Sequence, residues 1–124
     1  MNNAPVLHEP DQALGRFLTL FASQLEGQPI DVALLVAGVY GEDTRGLVAP
    51  SPEQFDTVMH TNVLAPMPLM ALLAPNLVAA QGKLAAISSR MGSIGLTQAS
   101  GGWLYRASKA ALNSALKAAS VELG

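Results

Sequence analysis

Tyr105 and Lys109 stand four residues apart in the string Tyr-Arg-Ala-Ser-Lys-Ala-Ala-Leu-Asn, 105–113, which has the character of a helix. Positions four apart on an α-helix lie on the same face, so a phenol and an ammonium group can act on one point. Just upstream, the apolar stretch Leu84, Ala85, Ala86, Ile87 predicts a strand that delivers Ser88 and Ser89 at its end. A glycine-rich loop then leads to the helix. A strand-end serine can meet the tyrosine–lysine pair across that loop. Such a set suits proton delivery to a polarised carbonyl.

The elements that must position these groups follow from periodicity. Leu14, Phe17, Leu18, Phe21, Ala22 and Leu25 recur at helical spacing, with Pro10 and Asp11 in the first turn and Gly27 with Pro29 beyond the end. Residues 30–37, Ile-Asp-Val-Ala-Leu-Leu-Val-Ala, are nearly all apolar without alternation, which predicts a strand buried on both faces. Val6 and Leu7 form the stub of an earlier one. Ser51-Pro52-Glu53-Gln54 has a serine cap, a proline at the first helical position and a glutamine three after the cap. Helix is expected from there to about Ala80, kinked by proline and broken by Gly82. A strand over 83–89 and a last helix over about 104–123, with Gly124 at its C-terminal stop, complete the order. Helices alternating with apolar strands predict a parallel sheet covered on both faces. Two strands are too few for such a sheet, so the expectation is an α/β domain cut from something larger.

Composition narrows the function classes. The chain has 124 residues, half of them hydrophobic and 13% charged, an apolar balance for so small a domain that implies surface meant to be covered. A net charge of -2 gives no field that argues for nucleic acid. Charge is nonetheless uneven. Eight of the nine acids lie in 1–82, whereas Lys83, Arg90, Arg106, Lys109 and Lys117 lie beyond, so a phosphate-bearing ligand near the basic half competes with a plain solvated face. The absence of cysteine excludes disulfides, thiolate catalysis and cysteine-based zinc sites. His8 and His60 lack metal-ligand spacing, so no metal is expected. Thr61 to Gln81 carries no Asp, Glu, Lys or Arg, but Pro66, Pro68, Pro75, Asn62 and Asn76 interrupt it; a buried helix is expected rather than a membrane span. No signal peptide is evident at residue 1, and the expected location is the cytoplasm.

Asn62, the Ile-Ser-Ser of 87–89 and the Tyr-Arg-Ala-Ser-Lys of 105–109 resemble the short-chain dehydrogenases/reductases. Ser-Ser-Arg-Met-Gly-Ser-Ile (88–94) and Tyr-Arg-Ala-Ser-Lys-Ala-Ala-Leu-Asn look most like their C-factor-like and sniffer-like carbonyl reductase branch. The resemblance covers roughly residues 6–124. It implies a Rossmann-type doubly wound parallel sheet and hydride transfer between NAD or NADP and a small carbonyl or alcohol. By resemblance Tyr105 is the general acid/base. A free phenol, with a pKa near ~10, shuttles protons poorly at neutral pH, and a lysine ammonium beside it favours the phenolate. Lys109 would also hold the nicotinamide ribose. Ser89, ahead of Ser88 and Ser93, would donate to the substrate oxygen. Asn62 would hold a water linking Lys109 to solvent. Ala37 and Gly38, with Tyr105 and Lys109, would border the cofactor.

The departures are as informative. The Thr-Gly-x-x-x-Gly-x-Gly turn that approaches the cofactor pyrophosphate in this family does not occur in the chain. The Asn-Asn-Ala-Gly signature is reduced to Leu35-Val36-Ala37-Gly38, and His8 stands where the family carries an acid near the adenine. The expectation is therefore a single incomplete Rossmann-like domain over 1–124, lacking the phosphate-binding βαβ part and the C-terminal strand, with weak or no activity alone. A second reading is a non-catalytic module that pairs with itself or a relative through helices 52–80 and 104–123. A third, serine acyl transfer through Ser114-Ala-Leu-Lys117, lacks its companion motifs and any Gly-x-Ser-x-Gly elbow.

Overall fold

The computed structural model describes residues 9–36, 38–42 and 46–123. Its element order is α1 (Glu9–Leu25), β1 (Val32–Leu35), α2 (Pro52–Met59), a π-helical turn (His60–Leu64), α3 (Pro66–Ala80), β2 (Lys83–Ala86), two 3-10 turns (Arg90–Gly92 and Ile94–Leu96) and α4 (Trp103–Leu123). The strand stub at Val6 and Leu7, His8, Ala37 and the terminal Gly124 lie outside the described residues.

β1 and β2 run parallel, with Val32 opposite Lys83 and Leu35 opposite Ala86. Flanking bonds continue the ladder, from Lys83 N–H to Asp31 O and from Ile87 N–H to Leu35 O. The sheet departs from the expectation of two covered faces. Ala33, Leu35, Leu84 and Ala86 are half-buried while Val32, Leu34 and Ala85 between them are exposed. α3 packs on β1, so one face is covered and the other presents apolar side chains to solvent, Val36 with 70% of its surface open. The apolar run is the pattern of a two-sided strand, but among the described residues helices serve only one side.

The long apolar helix changes its hydrogen-bond register midway, at a π-helical turn. Pro66 has no N–H to give, and the preceding Ala65 N–H reaches back five residues to His60 O at 2.8 Å. The resulting π-turn contains Asn62. Ser51 caps α2 as its sequence predicts, its hydroxyl accepting from Gln54 N–H at 3.2 Å. The other half of the expected capping box is diverted, because Gln54 Oε1 accepts from Glu42 N–H in the loop after β1. α3 ends on Gln81 in the left-handed region, φ 51°. Gly82 follows this stop, its N–H bonding back to Leu77 O at 2.8 Å, and it has a packing role as well: a Cβ there would run into the carbonyl oxygens of Ile30 and Asp31, where β1 enters beside β2.

By length and hydropathy the helix Pro52–Ala80 could cross a membrane. It contacts α1, α4 and β1 along its length. The core is small and apolar, built from Val58 of α2, Met70, Leu73 and Leu77 of α3 and Leu112 of α4. Each such side chain contributes about 1.5–3 kcal/mol by leaving water. Asn76 ties α1 to this core, its amide donating to the carbonyls of Leu25 and Gln28. Those carbonyls lie at or just past the end of α1, where helical partners run out.

Candidate active site

Three segments meet at the open end of the sheet: the loop after β1, the 3-10 turns after β2, and the first turns of α4. Lys109, on α4, is 2% exposed. Its Nζ donates to Ile87 O at 3.3 Å and lies 5.7 Å from the centroid of the Tyr105 ring. The helical spacing thus brings the ammonium over the phenol ring. Burial lowers the Lys109 pKa below its ordinary value, because water no longer solvates the charge.

Gly38 closes on the same nitrogen. A Cβ at position 38 would stand 3.1 Å from Lys109 Nζ and 3.8 Å from Asn62 Oδ1. Any side chain there would crowd the approach to the ammonium. Ala37, paired with Gly38 in the sequence reading, is outside the described residues.

Asn62 is fully buried and its amide is almost completely engaged. Oδ1 accepts from Val39 N–H at 2.8 Å, and Nδ2 donates to Val39 O and to Ser108 Oγ, both at 2.9 Å. Ser108 in turn donates to Tyr105 O at 2.8 Å. The residue therefore clamps the loop after β1 onto the turn of α4 that carries Tyr105. One lone pair of Oδ1 is left for a water of the kind the resemblance implies.

The two serines at the end of β2 differ in what their protons do. Ser88 Oγ donates to Asn113 Oδ1 at 2.7 Å, which spends its single proton. Ser89 Oγ instead accepts from Met91 N–H at 3.1 Å as the cap of the first 3-10 turn, so its proton stays available for a ligand oxygen. That difference favours Ser89, the serine expected to donate. The turn is pressed hard on α4: a Cβ on Gly92 would lie 2.8 Å from Asn113 Nδ2 and 2.9 Å from Lys109 Cβ. Asn62, Tyr105 and Lys109 are linked by bonds or ring contact, whereas Ser89 reaches α4 through the packing of its own turn.

Sequence reasoning missed Tyr40. Its ring stacks on that of Tyr105, centroids 4.9 Å apart and planes at 27°. Gly102, with φ 66°, makes room for it, since a Cβ there would collide with the Tyr40 hydroxyl. Ser108 and Asn113 were also missed as partners. An aromatic two residues past a strand-end glycine was the available signal for Tyr40; the two hydrogen-bond partners have none short of the fold.

Parallel strands joined through helices, with polar side chains gathered beyond their C-terminal ends, define a partial Rossmann-type α/β domain. The sequence model of the short chain dehydrogenase family matches residues 11–124. The chain belongs to the short-chain dehydrogenase/reductase family. Its solved relatives include a protein of Burkholderia multivorans described as a short-chain dehydrogenase/reductase with bound NADP. That structure shares 29% identity and a TM-score of 0.77, over 93% of this chain and 48% of that one. A carbonyl reductase of Pseudomonas aeruginosa PAO1 in complex with NADP shares 31% identity, TM-score 0.72, over 85% and 45%. The carbonyl reductase Sniffer of D. melanogaster shares 25% identity, TM-score 0.75, over 93% and 50%. The chain spans about half the length of these relatives. The search of curated proteins gave no match.

Proposed function

We propose that the chain carries the proton-transfer half of an NAD(P)-dependent carbonyl reductase or alcohol dehydrogenase site, in a single incomplete Rossmann-like domain located in the cytoplasm. The observation that carries this reading is the buried Lys109 ammonium against the Tyr105 ring, beside a glycine whose Cβ would block it. Solved relatives with bound NADP support it.

The roles divide by what each group has to give. Ser89 donates its hydroxyl proton in a hydrogen bond to the carbonyl oxygen, which becomes more negative as the bond to carbon is reduced. Tyr105 gives that oxygen a proton, or takes one from an alcohol in the reverse direction. Lys109, made a stronger acid by burial, replenishes the phenol. Asn62 holds the loop of Gly38 and Val39 against the Tyr105 turn and so fixes the distances. The nicotinamide–ribose end of NAD or NADP fits Gly38, Tyr105 and Lys109, and when bound the cofactor supplies the hydride. No glycine-rich pyrophosphate turn is present in the 124 residues. Weak cofactor retention and weak or absent turnover are therefore expected of this chain alone. Its substrate is a small carbonyl compound or alcohol, and neither nucleic acid nor a membrane is a partner.

The groove between α3 and α4, lined by Met67, Ala71, Ala74, Ala115, Ala118 and Leu123, favours a second reading. In it the chain is a pairing module acting through helices 52–80 and 104–123, with itself or a longer relative. Titration with NADPH, read by its fluorescence, separates the two. Saturable uptake, weak but measurable at high NADPH, that is lost in Lys109→Met supports the dehydrogenase site. Formation of a mixed dimer with no cofactor uptake overturns it in favour of pairing.

A further inference from the structure

Beyond Lys109, the basic half of the chain places two arginines around one cleft. An open cleft of about 310 Å³ starts at Ser89 and is lined by Arg90, Met91, Leu96, Gln98 and Arg106. Two arginines thus line one small cleft together with Ser89, the serine whose proton is uncommitted. From residue 83 to residue 121 the sequence contains no Asp or Glu, so neither arginine has an acidic neighbour along the chain.

The walls of the cleft are held in place. Arg106 Nε donates to Gly101 O at 2.7 Å, which anchors the guanidinium and leaves its four Nη hydrogens as further donors. Arg90 opens the 3-10 turn that Ser89 caps, and the next residue but one, Gly92, is packed against α4. Planar, permanently charged forks of this kind match a carboxylate through paired N–H bonds. Met91 and Leu96 add apolar surface, so the complementary ligand is an organic anion with a short apolar body rather than a bare ion.

The geometry points to a carboxylate-recognition subsite: Arg90 and Arg106 select carbonyl substrates that bear a carboxylate a few bonds from the reacting carbonyl. This rests on the reading of Ser89 as the group that holds the carbonyl oxygen. The carboxylate itself undergoes no change; it orients the molecule and raises its occupancy.

The test is binding without cofactor, so that it does not depend on turnover. The full chain is titrated by calorimetry with 4-carboxybenzaldehyde, with its methyl ester and with inorganic phosphate. The acid is expected to bind at least tenfold more tightly than the ester. That preference should weaken as salt rises, because exposed charges are screened. Arg90→Gln/Arg106→Gln should abolish the preference, and Arg90→Gln alone, at an exposed position without the Gly101 bond, should reduce it several-fold with melting unchanged. Equal binding of acid and ester, an acid preference that survives the double substitution, or phosphate binding as tightly as the acid would each overturn the subsite. With NADPH added, turnover without acid preference sinks the subsite and keeps the dehydrogenase reading. Arginine-dependent binding of the acid with no uptake of NADPH sinks that reading and keeps the subsite.

Discussion

The Tyr40 ring lies stacked on the Tyr105 ring, and Gly102 is the residue that lets it. The two tyrosines are 65 positions apart in sequence, one on the loop after β1 and one on α4, so the stack joins both walls of the candidate site. Gly102→Ala should break it. A left-handed backbone costs alanine about 1–2 kcal/mol and overpacking a further ~1–3 kcal/mol, so a loss of about 2–5 kcal/mol is expected in urea denaturation. Adding Tyr40→Ala should recover the overpacking share. Equal losses in the single and double variants would show that the two residues do not meet.

Asn62 is the larger risk to the fold. Asn62→Ala leaves Val39 N–H and C=O without their partner, in a region with little water to replace it. A loss of about 2–4 kcal/mol follows. Asn62→Asp keeps the acceptor for Val39 N–H but loses both amide donations, and should also be destabilised. Amide exchange at Val39 reports the clamp directly: its protection should vanish in Asn62→Ala while that of Lys83, whose N–H bonds to Asp31 O in the sheet, persists.

Lys109 predicts a pH dependence with a definite sign. Its folded-state pKa lies below 10.5 because of burial, so between the folded and unfolded pKa values the unfolded chain binds more protons. Stability from this group therefore rises with pH across that window, and below the folded pKa the cost of the buried charge is present in full. Lys109→Met removes the term. The stability of wild type relative to Lys109→Met should improve as pH is raised toward 10.5; a difference independent of pH between 7 and 10.5 would refute it.

Ser88 and Asn113 form a pair that a double-mutant cycle can isolate. Each alanine substitution should cost about 1 kcal/mol, and the double variant should cost less than the sum, with a coupling of about 0.5–1 kcal/mol. Additive losses would mean that the bond of 2.7 Å contributes nothing measurable.

Local order was legible in the chain. Spacing of four put Tyr105 and Lys109 on one helical face, and Ser51-Pro52 marked the start of α2 because capping is a short-range bond between near neighbours. Family membership was legible too, through Asn62, the strand-end serines and the tyrosine–lysine string. Whether β1 is covered on one side or two could not be read from its apolar run, since the same residues serve both cases and only the placement of helices decides. Nor could a string of letters say that Asn62 spends its amide on Val39 and Ser108, that Ser89 rather than Ser88 keeps a free proton, or that Tyr40 lies on Tyr105. Those facts join residues up to 65 positions apart. Propensity acts along the chain within a turn or two, whereas hydrogen bonds and ring contacts of this reach exist only once packing has brought distant segments together.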